Sequence, residues 1–324
     1  MNHVVDISVG DKLVNEATRT GFGRGLLKAA QIDDRVVALC ADLTDSTKMN
    51  AFAKEFPDRF FNVGVAEQNL VTVGSGMAAA GKIPFVSSYA AFSPGRNWEQ
   101  IRTTICLNNQ PVNIVGSHAG VSVGPDGATH QMLEDIALMR VLPNMVVINP
   151  GDSIEAEKAT LAIAKLPSPC YLRLARADSP VFTTADTPFE IGRAYILTGG
   201  SDVTIVSTGP PTYQALVAAD KLYKDGIDAE VIHCPTIKPL DGATILRSIK
   251  KTRRVITVEE AQIAGGLGGA ITEFLSDHYP APVYRIGIKD RYGESGKPDE
   301  LLEHFGITAQ HIAVVAHEIT GKHT

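Results

Sequence analysis

FFNVGVAEQN, residues 60–69, joins a short apolar run to a glycine and then to a glutamate that opens a longer, small-residue apolar segment. An aromatic and β-branched run, broken by glycine and followed by such a segment, reads as a strand entering a helix. The helix is predicted from Glu67 to Ala80, which puts Glu67 in its first turn among Val63, Val65, Leu70 and Val71. A carboxyl placed there is expected to be buried. Burial disfavours the charged form of a carboxyl and suits it to hydrogen-bond donation or general-acid work. The same placement is also favourable at any helix N-terminus, with no chemistry attached.

The strand-then-helix unit recurs on both sides of this stretch. VVALC (36–40), IPFVSS (83–88), VNIVGS (112–117), MVVINP (145–150) and CYLRLAR (170–176) read as strands. EATRTGFGRGLLKAA (16–30), the stretch 93–109 and ATHQMLEDIALMRVL (128–142) read as helices. DSPVFTTADTPFE (178–190) has the composition of a linker. Beyond it VTIVSTG (203–209), AEVIHC (229–234), RVITVEE (254–260) and VYRIGI (283–288) form a second series of strands. A helix over 212–225 follows Pro210 and Pro211, which suit a first turn. The expected fold class is α/β, two doubly wound domains with mostly parallel sheets, divided as 1–185 and 186–324.

Length and composition agree with two soluble domains. The 324 residues are 44% hydrophobic and 20% charged, with 30 Lys plus Arg against 36 Asp plus Glu and a net charge of −6. That balance offers no basic face, so neither nucleic acid nor a membrane surface is an expected partner. Residues 70–92 are apolar but broken by Gly74, Gly76, Gly81, Lys82 and Pro84, so they are not expected to span a bilayer. The N-terminus MNHVVDISVGDK is too polar for a signal peptide. Cys40, Cys106, Cys170 and Cys234 show no metal-ligand spacing, which points to buried thiols and a reducing cytoplasm. No metal site is expected in this chain.

Two further stretches follow strands and carry chemistry-bearing residues. SHAGVSVGPDGATHQ (117–131) places His118, Asp126 and His130 in one glycine-rich loop. Binding groups gather on such loops at the carboxyl ends of parallel strands, where two imidazoles and a carboxylate can bond hydroxyls and shuttle protons. A PDG turn with exposed histidines is the plainer alternative. SSYAAF (87–92) spaces Tyr89 and Phe92 so that a helical turn would present both rings to a planar ligand, although such pairs are more often core. GGLGG (265–269) lacks the order of a dinucleotide fingerprint and reads as close packing or a tight turn. DRYGESGKPDELLEHFG (290–306) reads as a surface loop and a terminal helix.

Taken in order, ATR (17–19), ADLT (41–44), GVAEQN (64–69), SSYAAF (87–92), SHAGVSVGPDGATHQ (117–131), INPGD (148–152), YLRLAR (171–176) and GESGKPDELL (293–302) resemble the pyrimidine-binding and C-terminal domains of transketolases. The resemblance covers essentially the whole chain. It implies a thiamine diphosphate cofactor, with Glu67 hydrogen-bonded to the aminopyrimidine N1′, Phe92 and Tyr89 packed on that ring, and Asp42 and Leu43 nearby. It implies that His130 and Asp126 stand near the reacting carbons and hydroxyls of a sugar. Arg19, Ser46, His118 and Arg176 would hold the sugar phosphate, for which a guanidinium fork is suited. Glu67 and His130 are the expected catalytic groups.

The family's G-D-G motif and downstream Asn, which hold the diphosphate and its metal, have no counterpart here; GPDG (124–127) and Asn108-Asn109 are not substitutes. The resemblance therefore implies a small, C-terminal-type subunit of a split transketolase, partnered by a large N-terminal-type subunit in an α2β2 assembly. That partner would supply the diphosphate-binding domain and the Mg2+ or Ca2+. The alternatives are a subunit akin to 1-deoxyxylulose-5-phosphate synthase, the beta subunit of a 2-oxoacid dehydrogenase E1, or a non-catalytic scaffold of the same fold.

Overall fold

The structure, a computed structural model, describes residues 4–10 and 12–322; the first three residues of the polar N-terminus, Asp11 and the last two residues lie outside the described residues. The strands, in chain order, are β1 (Asn15–Glu16), β2 (Val36–Cys40), β3 (Phe60–Asn62), β4 (Ile83–Tyr89), β5 (Asn113–Ser117), β6 (Val146–Ile148) and β7 (Cys170–Arg173). They continue as β8 (Ser179–Pro180), β9 (Tyr195–Thr198), β10 (Val203–Ser207), β11 (Ala229–His233), β12 (Thr236–Lys238), β13 (Val255–Gln262) and β14 (Val283–Ile288). A seven-stranded sheet has the order β12-β6-β7-β5-β4-β2-β3, and a five-stranded sheet the order β14-β13-β10-β11-β9. Each is parallel except for one edge strand, β12 against β6 and β9 against β11. This is the two-part α/β architecture expected from the strand and helix alternation.

Side chains alternate between the two faces of a strand, and every residue of VVALC is buried because both faces of the first sheet are covered. In VVALC, Val37 and Leu39 pack on one face with Leu70, Val71, Ile101 and Ile105. Val36, Ala38 and Cys40 pack on the other with Phe22, Leu26, Ala159 and Ile163. Helices Thr18–Ile32 and Ser153–Ile163 cover that second face side by side. A Cβ on Gly21 would lie 1.8 Å from the Ser153 carbonyl oxygen, so glycine is what lets these two helices approach. The core on the Val37 and Leu39 face runs on into the second unit through Val206, Ile232, Ile249 and Leu275.

Polar ties also join the two sheets. Buried Glu155 accepts from the Gly151 N–H at 2.6 Å and pairs with His233 Nε2 at 2.7 Å, while His233 Nδ1 lies 2.8 Å from Thr212 Oγ1. The stretch read as a linker is held in place by Asp152. Its carboxylate accepts from Phe182 N at 2.9 Å, Thr183 N at 2.6 Å and Thr183 Oγ1 at 2.7 Å, besides capping its own helix at Glu155 N, 3.0 Å. Linker composition reflects local turn chemistry and carries no information about a buried carboxylate thirty residues upstream.

Other expectations need correction. Only Asp135–Arg140 of the expected 128–142 helix is helical; residues 128–134 belong to the loop, where His130 and Gln131 both donate their N–H to Gly127 O. The 93–109 segment is a short helix, Trp98–Gln100, that widens into a π-helical stretch, Ile101–Cys106. Residues 236–238 of the second half supply an edge strand to the first sheet. The helix Pro298–His304 is not terminal, because Ala309–Thr320 forms another after it. GGLGG is close packing: Glu259 accepts the Leu267 and Gly268 N–H groups at 2.7 and 2.8 Å, and a Cβ on Gly266 would meet Glu259 Oε2 at 2.0 Å. All four cysteines are free and buried, and among the described residues no helix is long and apolar enough to cross a membrane.

Replacing Asp152 with Ala leaves three buried backbone donors and a hydroxyl without their acceptor, which costs about 3 kcal/mol. Urea unfolding of Asp152→Ala is expected to show that loss, with new protease cleavage inside residues 178–190. Exposed Asp186→Ala is expected to stay within about 0.5 kcal/mol of the parent.

Candidate active site

The candidate residues gather at the carboxyl ends of β2, β3, β4, β5 and β7 and on the segments that leave them, with Arg19 in the first turn of the helix Thr18–Ile32. Glu67 opens the helix Glu67–Ala79 and is only 4% exposed. The approach to it is shaped by Asn62, whose Oδ1 accepts from Gly64 N at 3.0 Å and from Asp42 N at 3.1 Å, and whose Nδ2 donates to Asp42 Oδ1. Asp42 has φ 61°, a left-handed conformation uncommon for a residue with a side chain, and Asn62 holds both its backbone and its carboxylate. Of the apolar neighbours expected around Glu67, Leu70 and Val71 are buried, but Val65 is 71% exposed. Val65 lies before the helix begins, on the outward side of the turn that Gly64 makes.

The Glu67 carboxyl is enclosed without being satisfied. Its nearest polar contacts are Ser88 Oγ at 3.5 Å from Oε1 and Arg96 Nη1 at 3.5 Å from Oε2, both at the outer limit of hydrogen bonding. Its backbone carbonyl is better held, by Asn97 Nδ2 at 2.8 Å. Arg96 also lies over the Phe92 ring, 4.2 Å from the centroid, so it links the carboxyl to the aromatic wall.

SSYAAF does form the tight turn its spacing suggested, with the Phe92 N–H donating to Tyr89 O at 2.8 Å. The two rings are nearly parallel, centroids 5.9 Å apart and planes 20° apart. His118 stacks on Tyr89 at 3.8 Å, and His130 meets the Tyr89 and Phe92 rings edge-on at 6.3 and 5.4 Å. The two histidines twelve residues apart are therefore brought to one aromatic cluster. His118 has φ 59°, and its Nδ1 lies 2.8 Å from Ser117 Oγ; His130 Nδ1 lies 2.9 Å from Thr129 Oγ1.

Positive charge collects beside this cluster. Arg19 Nη1 donates to the Ser46 carbonyl at 2.8 Å, and Arg176 Nη1 donates to the Val123 carbonyl at 2.8 Å. Arg19 Nε is buried with no hydrogen-bond partner. Burial, and then the neighbouring Arg176 charge, push the Arg19 guanidinium down. Burial, followed by Arg19, Arg176 and His130, pushes the His118 imidazole down to about 3. Two guanidinium groups around a neutral imidazole make a field that favours an anion.

Two expected residues stand apart. Asp126 is exposed at the loop tip, and among the described residues no hydrogen bond ties it to the cluster. Leu43 packs at the margin of the core beneath the sheet, its N–H on Cys40 Sγ at 3.2 Å. Sequence reading missed Asn62, Ser88, Arg96 and Asn97. Arg96 had a usable signal in its position four residues after Phe92; Asn62 had none, because a strand-end asparagine is ordinary.

The arrangement can take a planar nitrogen heterocycle. A buried carboxyl with spare hydrogen-bonding capacity lies beside an aromatic ring, which fits the pyrimidine end of thiamine diphosphate. Among the described residues no group of three or more His, Cys, Asp or Glu could hold a metal ion.

The structure predicts that His118 stays neutral from pH 8 down to about pH 4, read from its imidazole resonances by NMR. The unfolded chain takes up a proton on His118 below about 6.5 and the folded chain does not, so this residue's contribution to stability is full above that pH and falls on acidification. His317, raised by the Lys322 carbonyl and by Asp225, is expected to titrate above its ordinary value in the same spectra.

Comparison with known proteins gives a consistent neighbourhood. Residues 15–181 match the family model for the transketolase pyrimidine binding domain, and residues 192–312 that for the transketolase C-terminal domain. A Methanocaldococcus jannaschii protein provisionally named a transketolase C-terminal section is 44% identical over 93% of this chain and 95% of its own length. A 6-deoxy-6-sulfo-D-fructose transketolase subunit of Clostridium sp. (strain MSTE9) is 41% identical over 92% of each chain. A solved split-gene transketolase, described as an inactive beta4 tetramer, superposes with a TM-score of 0.88 at 43% identity, covering 94% of this chain and 99% of its own.

Proposed function

The chain belongs to the transketolase family as a joined pyrimidine-binding and C-terminal domain, and on that premise we propose that it is the small subunit of a split transketolase. The proposed reaction moves a two-carbon ketol unit from a ketose phosphate to an aldose phosphate with thiamine diphosphate. The observation that carries this reading is the Glu67 carboxyl, 4% exposed, beside Phe92, and with no hydrogen-bond partner closer than 3.5 Å among the described residues. When bound, thiamine diphosphate supplies the carbanion-stabilising ring on which the two-carbon unit is carried.

This chain's own residues do the rest. Glu67 would hold the aminopyrimidine through N1′, and Phe92 and Tyr89 would pack on that ring and exclude water from it. Asp42 and Leu43 border the same end of the site. His130 moves protons at the sugar hydroxyls, with Asp126 reaching the sugar from the loop tip. Arg19 and Arg176, with His118 and the Ser46 turn, orient the anionic end of the sugar; the orphaned Arg19 Nε supports that role.

The proposed division is 1–185 for the pyrimidine-binding domain and 186–324 for the C-terminal domain. The partner in this proposal is a large subunit that brings the diphosphate-binding domain and Mg2+ or Ca2+, in an α2β2 complex in the cytoplasm. Relatives of the same length support it, one named as a subunit and one inactive as a tetramer of like chains.

The test reconstitutes this chain with its large partner and assays xylulose 5-phosphate plus ribose 5-phosphate, 6-deoxy-6-sulfofructose, and pyruvate. Ketol transfer from a phosphorylated or sulfonated ketose, and none from pyruvate, is expected. Glu67→Gln is expected to assemble normally and lose at least about 100-fold in kcat; full turnover in that variant would reject the reading. Arg19→Ala is expected to raise KM for the phosphorylated sugar about tenfold or more while changing that for its unphosphorylated analogue little.

A further inference from the structure

The loop that carries His118 and His130 makes its strongest polar contacts behind the site, with the second domain. Glu260 lies near the end of β13 and is 3% exposed. Its Oε1 accepts the Ser122 N–H at 2.5 Å, in the turn Val121–Val123 at the middle of the loop. The Glu260 carbonyl accepts from Arg173 Nη2 at 2.8 Å, and Arg173 Nε donates to Asp135 Oδ2, also at 2.8 Å, so the glutamate's backbone is fixed to the first sheet. Gln131 is a second clamp. Its Nε2 reaches Val121 O and Gly124 O at 3.1 Å and Glu294 O of the second domain at 2.7 Å.

Glycines mark both sides of this contact. A Cβ on Gly120 would lie 2.3 Å from Glu260 Oε1, one on Gly293 would lie 1.7 Å from Gln131 Oε1, and one on Gly127 would lie 2.6 Å from Ser295 Oγ. The two backbones are thus packed as closely as glycine allows. Below the loop, Gly120 N–H donates to Met132 O at 2.9 Å and Gln262 N–H donates to Leu133 O at 2.8 Å, which closes its base against β13. A loop anchored at its base and at its middle has little freedom left for its two histidines.

We propose that Glu260 is a positioning residue: through the Ser122 N–H, and with Gln131 as its counterpart, the second domain sets the geometry of the loop that presents His118 and His130. The catalytic consequence rests on the split-transketolase reading; the structural one does not. It gives the second domain a part in substrate handling through a residue that touches no substrate. Glu260→Gln keeps an oxygen that can accept the Ser122 N–H, whereas Glu260→Ala removes it.

Hydrogen exchange on the full chain, and kinetics of the reconstituted complex, test this with Glu260→Ala, Glu260→Gln and Gln131→Leu. Amides in 120–129 of Glu260→Ala and Gln131→Leu are expected to exchange at least tenfold faster, with the helix 67–79 and the strands of the second sheet unchanged. Glu260→Gln is expected within about threefold of the parent. In the complex, kcat/KM is expected to fall tenfold or more with Ala, mainly through KM, and to return with Gln. Unchanged exchange in 120–129, or a rise spread evenly over both domains, overturns the proposal, as does a Gln variant as impaired as Ala. If Glu260→Ala does not fold, Gln131→Leu and Glu260→Gln decide on the same criteria. Loss of ketol transfer in the unmodified complex would reject the functional reading and leave the exchange result to judge the clamp.

Discussion

A carboxyl group closed off from water, with only two long polar contacts at 3.5 Å among the described residues, organises this molecule. Burial with only these two contacts, one of them an ion pair to Arg96, is costly for Glu67 if the group is charged. The surroundings hold the residue through its backbone, by Asn97, and leave the side chain's oxygens at 3.5 Å from Ser88 and Arg96. A side chain that only stabilised the helix would have closer partners or would face solvent. The polar capacity left over is what a ligand's ring nitrogen can use.

Electrostatics divides the rest of the site into two ends. At the Glu67 end Ser88, Asn97 and an aromatic wall surround the carboxyl, with the Arg96 guanidinium 4.2 Å from the Phe92 centroid. At the other end Arg19 and Arg176 bring positive charge, and among the described residues neither is hydrogen-bonded to an acidic side chain; His118 stacks on Tyr89 between the ends. The same positive field that makes the imidazole hard to protonate favours an arriving anion. The stacking that fixes the His118 ring is held in turn by a strained backbone, φ 59°, in a loop that the second domain clamps. Local strain of this kind persists only where the surroundings over-determine it.

Much of this was legible in the residues. Short apolar β-branched runs such as VVALC and VNIVGS marked the strands, because both faces of a parallel sheet are covered. Glu67, Tyr89, Phe92, His118 and His130 could be singled out from motif chemistry alone. The loop 117–131 was not legible as a shape: ATHQMLEDIALMRVL has helical periodicity, but Gln131 spends its amide on Val121, Gly124 and Glu294 and holds the first half out of the helix. Glu260 gave no signal, since a glutamate at the end of RVITVEE reads as a solvated strand end. Long-range pairings such as Asp152 with Thr183 and β12 with β6 depend on how the two domains meet, and local pattern does not encode that.

The central claim is that Glu67 is enclosed for the sake of a pyrimidine ring. A structure of the chain assembled with its large partner, thiamine diphosphate and Mg2+ measures it directly. The account predicts a Glu67 carboxyl oxygen within about 3 Å of the pyrimidine N1′, with the Phe92 ring packed on the heterocycle. A ring bound elsewhere, with Glu67 still paired only with Ser88 and Arg96 or turned to bulk water, would contradict it.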